Sequence, residues 1–258
     1  MELEKDFSSI ISEIQTINKC FLLKIASEVK DKDVYLRNTI AKTISLLKSI
    51  DTLYKIENFN DGWILYRSLI DRLVYIYYLI ENNSYKEFDE WSFVKQFEYR
   101  HNAKADEQFI RLKTNPKFNT QKGETNKYNE YKSRLSWCKP DPQKVLKSID
   151  LNFIYKYGYD YASRRTHPMS NDGSKEFYKL TGLEPNPHDF EEDIYLLKNS
   201  LIISSMIFNV IIQNLSVELP CYYLDFMSEY RKYAFGIKKT YNSKFKVTFE
   251  SFRKDAGY

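Results

Sequence analysis

An all-α fold, a multi-helix bundle around one main core, is what this 258-residue sequence predicts, and three observations carry the prediction. Apolar residues recur every three or four positions over most of the chain, the period of a helix that buries one face. Only 7 glycines and 7 prolines are present, too few breakers for the frequent turns of a β protein. Hydrophobic residues make up 43% and aromatics 16%, enough to fill a substantial core without disulfide or metal staples.

The first helix is marked by Phe7, Ile10, Ile14, Ile17, Phe21 and Ile25. A second follows Asp33 as a cap signal and carries Leu36, Ile40, Ile44, Leu47 and Ile50; a third runs from near Asp61 through Trp63 to about Ile80. A fourth spans roughly 86–112. The stretch of about 114–125, with Pro116, Asn119, Gln121, Lys122 and Gly123, has almost nothing to bury and is expected to be a mobile loop. Helical signals return over 127–137, stop at Pro140, and resume from Pro142 to His167, where Pro168 closes them. A loop holding Asp172-Gly173 and Pro185-Asn186-Pro187 precedes a long helix from near Asp189 past Ile212, and a last helix covers about 224–241. The basic, aromatic residues of about 242–258 form a C-terminal arm or short strand, since Phe245, Val247 and Phe249 alternate with polar groups. The whole chain, 1–258, reads as a single helical domain.

Leu196 to Ile212 is the most apolar stretch, but Lys198, Asn199, Ser200, Ser204, Ser205 and Asn209 interrupt it, so a core helix is expected rather than a membrane span. The charged start, Met1-Glu2-Leu3-Glu4-Lys5-Asp6, lacks a signal-peptide pattern. Cys20, Cys138 and Cys221 are too scattered for a disulfide framework and read as free thiols, which suits the cytoplasm.

A net charge of +4 hides an uneven distribution: residues 95–148 hold 13 basic and 6 acidic groups, and 228–258 hold 8 and 3. Both segments are candidates for contacting RNA or another polyanion, the second because Tyr230, Tyr233, Phe235, Tyr241 and Phe245 sit among its basic residues. A solvated helix face plus a basic tail accounts for the same charges, and the modest net charge favours this plainer reading. The abundance of tyrosine, 22 residues, also suits an interface with another copy or a partner protein.

Chemistry concentrates at two places. Tyr155, Tyr159, Ser163 and His167 recur every fourth residue, one polar stripe on the expected helix, and Pro168 puts the imidazole at its C-terminal end. A helix C-terminus favours imidazolium, so His167 is suited to acid–base work near neutral pH, with Arg164 and Arg165 alongside. The packing alternative has the tyrosines burying their rings and His167 capping carbonyls. The second place is Arg67 and Asp71, an i, i+4 pair inside a very apolar run from Trp63 to Tyr77. A buried ion pair contributes little net stability, which suggests a phosphate-binding or orienting role beside the plainer one of an intrahelical salt bridge.

No Gly-rich phosphate loop, His-Glu-x-x-His, Cys-x-x-Cys or Gly-x-Ser-x-Gly is present. His101, His167 and His188 lack ligand spacing, and Asp189, Glu191, Glu192 and Asp193 read as charge at a helix N-terminus. No cofactor and no zinc site is expected, while a carboxylate-bound magnesium stays open.

With Arg67-x-x-x-Asp71 and Tyr159-x-x-x-Ser163-x-x-x-His167-Pro168, the chain resembles an uncharacterised family of all-helical bacterial proteins, similar in turn to helical-bundle defence and abortive-infection proteins that include HEPN-type ribonucleases. The resemblance implies a metal-independent ribonuclease using an arginine and a histidine. Those enzymes carry Arg, four to six residues, then His on one helix. Here Arg164 and Arg165 stand only three and two positions before His167, so the implied site is composite: His167 as base, Arg67 or Arg165 on the phosphorane, Tyr159 as proton donor or phosphate ligand, with Asp71 and Ser163 beside them. A noncatalytic nucleotide- or partner-binding protein, and an oligomeric scaffold, are the other readings.

Overall fold

The computed structural model describes residues 2–27, 31–105, 116, 119–165, 173–183 and 194–237. His167, Pro168, the Asp189 to Asp193 group, most of 106–118 and the arm at 242–258 lie outside the described residues. Every regular element among the described residues is helical. In chain order these are α1 (Glu2–Lys24), α2 (Asp31–Lys55), α3 (Phe59–Asn82), α4 (Tyr85–Ala105), α5 (Glu124–Ser133) and α6 (Pro142–Ser148). A run labelled α7 follows, made of Asn152–Ile154, a π-helical turn at Tyr155–Tyr159, and Asp160–Arg164. Then come α8 (Ser174–Thr181), α9 (Ile194–Asn214) and α10 (Cys221–Ala234). The all-α expectation holds.

The chain expected to form one domain divides into two compact units, Met1–Tyr77 with Asp141–Tyr258, and Tyr78–Pro140. In the first, α1 packs on α2, and α9 packs on α1, α2 and α10. All six apolar residues that mark α1 are buried, as are all five that mark α2, so the helical period translates directly into core. Each such side chain contributes roughly 1.5–3 kcal/mol by leaving water. Leu196, Leu197, Leu201, Ile203, Ile207, Phe208, Val210 and Ile211 of α9 are buried too. Tyr195–Asn214 is long and apolar enough to cross a membrane, but 61% of its most apolar window is buried inside the fold, as a core helix requires.

Several polar groups within this core are matched, while Asp33 Oδ2 and Thr43 Oγ1 are buried without a hydrogen-bond partner among the described residues. Tyr223 stacks on Phe21 at 4.3 Å and donates to Asn18 Oδ1 at 2.8 Å. Ser204 and Tyr230 share a buried hydrogen bond of 2.7 Å between α9 and α10. Asp33, expected to cap α2, instead lies inside that helix and is buried, accepting from the Ser216 backbone N–H at 3.0 Å just past α9. Asn58 is the residue that opens α3, its Oδ1 accepting from Asp61 N.

In the second unit the core is aromatic. Trp137 packs on Trp91 at 4.7 Å and on Phe88 at 4.9 Å, and Phe97 stacks on Tyr128 at 4.4 Å, joining α4 to α5. Glu90, buried, accepts from Arg134 Nη2 at 2.8 Å and Arg134 Nε at 3.3 Å. Helix α5 begins at Glu124 inside the stretch expected to be a loop, because Glu124 is held by Arg100 at 2.8 Å and by the Gln121 backbone.

Candidate functional site

Asn60, Trp63, Arg67, Asp71 and Tyr75 follow one another at three- and four-residue intervals, so they share one stripe of α3. Opposite this stripe runs α7, which the local sequence builds with care. Asp141 caps α6 by accepting from Gln143 N at 2.9 Å, with Pro142 in the first helical position. Asp150, at φ 57°, ends α6 in a left-handed turn. The helix expected to continue from Pro142 to His167 is therefore broken at 149–151, since Asp tolerates that conformation and Leu151 N returns to Leu146 O.

Within α7 the π-turn at Tyr155–Tyr159 carries buried Gly158. A methyl group in place of its hydrogen would lie 3.0 Å from Tyr66 Oη and 3.1 Å from Ile70 Cδ1, tight against α3. Glycine here leaves room for the Tyr66 hydroxyl and the Ile70 side chain of α3, and the next residue, Tyr159, lies beside Arg67. Arg67 Nη2 donates to Tyr159 Oη at 2.9 Å, and its guanidinium carbon lies 4.8 Å from the ring centre. Tyr155 stacks on the same ring at 5.7 Å and 15°. Both Arg67 and Asp71 are half-buried, while Arg67 Nε and Asp71 Oδ1 have no solvent exposure. Burial and then the Asp71 carboxylate push the Tyr75 phenol above its ordinary value, with Arg72 opposing, so the hydroxyl stays protonated.

Arg165 goes elsewhere. It donates to Asn60 Oδ1 at 3.1 Å and to Tyr161 Oη at 2.8 Å, and Tyr161 meets Trp63 edge-on at 4.9 Å. Asn60 stands seven residues before Arg67, about 10 Å along α3. Ser163 Oγ donates to Tyr159 O at 2.7 Å, and Arg164 pairs with Asp160 on the surface at 3.0 Å.

Of the residues singled out by sequence, the structure thus brings Arg67 to Tyr159, sets Asp71 one turn further along α3, and separates Arg165 from them. Ser163 serves the helix backbone, and His167 lies outside the described residues. Sequence reasoning missed Asn60, Trp63, Tyr66, Tyr75, Gly158 and Tyr161; continuing the Arg67–Asp71 interval along α3 in both directions finds Asn60, Trp63 and Tyr75.

The basic segment at 95–148 holds many intramolecular partners. Lys95 and Lys132 pair with Glu98, Arg100 with Glu124 and Arg134 with Glu90, while Lys127 lies 4.6 Å over the Phe93 ring. No cluster of three or more His, Cys, Asp or Glu side chains suited to a metal ion occurs among the described residues. The three cysteines are free thiols, Cys20 buried and Cys138 and Cys221 exposed.

Comparison with known proteins finds no curated protein and no solved structure that matches. Residues 33–179, more than half of the chain and all of the α3–α7 arrangement, match the family of unknown function DUF5677. The chain is a member of the DUF5677 family.

Proposed function

We propose that this protein is a helical defence- or toxin-type ribonuclease that cleaves RNA without a metal, with His167 as general base and Arg67 and Tyr159 as the phosphate-handling pair. The observation that supports it is the Arg67–Tyr159 contact of 2.9 Å, made across 92 residues of sequence. It places a guanidinium and a phenol hydroxyl at one half-buried spot, where charge–dipole interactions are stronger than in water. In this reading His167 takes the proton from a ribose 2′-hydroxyl and the 2′-oxygen bonds to phosphorus. The 5′-oxygen leaves with a proton from Tyr159, giving a 2′,3′-cyclic phosphate. Arg67 stabilises the charge gathered on the phosphorane, and Asp71 orients the site from the next turn.

A noncatalytic reading uses the same pair to hold a nucleotide or nucleic acid. Induced expression of the wild type beside His167→Ala separates the two. Ribonuclease action gives arrested growth and fragmented total RNA that vanish in a mutant still folded by circular dichroism. Intact RNA in both, with retained binding, favours the noncatalytic reading.

A further inference from the structure

The outward face of α7 takes no part in the arrangement just described. Phe153, Lys156 and Tyr157 stand three and four residues apart, so they share one helix face. Phe153 is 57% exposed and Tyr157 76%, in a fold that buries Phe208, Tyr223 and Tyr230 almost completely. Helix α6, which packs on the same run, exposes Lys144 and Lys147. None of these three lysines is in an ion pair among the described residues. Of the carboxylates in α6, α7 and the turn between them, Asp160 is held by Arg164 at 3.0 Å, which leaves Asp141, the cap of α6, and Asp150 against three lysines.

We infer that this face is a stacking platform for single-stranded RNA, with bases on Phe153 and Tyr157 and phosphates along Lys144, Lys147 and Lys156. Exposed rings alone suit any apolar partner and lysines alone suit any anion. Two exposed rings with Lys156 between them, and two further exposed lysines on the adjoining helix α6, suit a flexible polynucleotide, which offers both unstacked bases and phosphates. A duplex keeps its base faces turned inward and has nothing for the rings. The inference deepens the proposed function and rests on its assignment of RNA as the substrate. It adds a docking surface on the side of α7 away from Tyr159, where a strand is held while a phosphodiester reaches Arg67.

The test uses the full chain and a short labelled 2′-O-methyl oligouridylate, which lacks the attacking hydroxyl and so reports binding alone. The wild type is expected to bind it better than the matching duplex. Phe153→Ala with Tyr157→Ala weakens binding about tenfold or more. Replacing Lys144, Lys147 and Lys156 with glutamine lowers the slope of log affinity against log salt by about 2. Unchanged binding by the folded double alanine variant overturns the inference, as does wild-type protein that binds anionic lipid vesicles and no oligonucleotide. Cleavage of unmodified RNA is measured in parallel. A platform that binds without cleavage leaves this inference standing and removes the ribonuclease reading; cleavage that ignores the platform variants does the reverse.

Discussion

Gly158 lies in the π-turn without a positive φ, so its value lies in the hydrogen where other residues carry a methyl. Gly158→Ala gains about 1 kcal/mol of helix propensity and loses about 1–3 kcal/mol to crowding against Tyr66 Oη and Ile70. Removing the obstructing hydroxyl relieves the crowding, so the Gly158→Ala, Tyr66→Phe double variant is expected to be more stable in urea than the sum of the singles; strict additivity would contradict the close approach. At the pair proposed to handle phosphate, Arg67→Lys keeps the charge but loses the planar fork that meets both Tyr159 Oη and its ring. Tyr159→Phe keeps the ring and loses the hydroxyl. Each is expected to lower RNA cleavage by about 10²–10³-fold with circular dichroism unchanged, and a variant cleaving within twofold of wild type would remove that residue from the reaction. Arg67 and Tyr159 stood out in the sequence, as a charge in an apolar run and a member of a polar stripe. Their pairing did not, because a stripe reveals which face is special and not which face it meets.

Helices long enough to show several turns of apolar period were legible: α1, α2, α3, α9 and α10 each carry that stripe into a core. Helix α8 was not, since its eight residues lie between Gly173 at φ 79° and Gly182 at φ 68° and read as loop. Its apolar residues also face outward, Leu180 being 87% exposed, so there is no buried stripe to detect. The helix expected over 127–137 ends at Ser133 because Trp137 turns into the indole and phenyl rings of α4. Between α4 and α5 the charged contacts have a pH signature. Hydrogen bonds from Lys132 and then Lys95 hold the Glu98 carboxyl below its usual value, and Arg100 and then the Gln121 backbone do so for Glu124. Their stabilisation is complete above the ordinary carboxylate pKa of about 4.3 and is lost as pH falls through the lowered folded values. Protection factors for amide exchange in α4 and α5 are therefore expected to fall below about pH 4, and a Glu98→Gln, Glu124→Gln variant to lose that dependence. The change is small, as these are partly exposed pairs.

For the molecule as a whole, the tyrosines make alkali the informative stress. Burial raises the phenol pKa of Tyr66, Tyr223 and Tyr230, with a Ser204 hydrogen bond partly offsetting it at Tyr230. A raised folded pKa means stability that is intact below the ordinary tyrosine value of about 10 and is lost as pH climbs toward the folded value. Tyrosinate absorbance from these residues is expected to emerge together with loss of helical circular dichroism; full tyrosinate absorbance from a still folded chain would contradict their burial. Fold class was readable at this scale because period and composition agree along the chain. The division at Tyr78 and Pro140 was not, because α3 runs through the first boundary without any break in its apolar pattern. The function proposed for the whole molecule meets its most direct test in purified protein, by incubating RNA in a metal chelator with the wild type and with folded His167→Ala. Wild-type cleavage to 2′,3′-cyclic phosphate ends, absent in the variant, is the expected result. Intact RNA with the wild type, or equal cleavage by both, would contradict a metal-independent ribonuclease centred on His167.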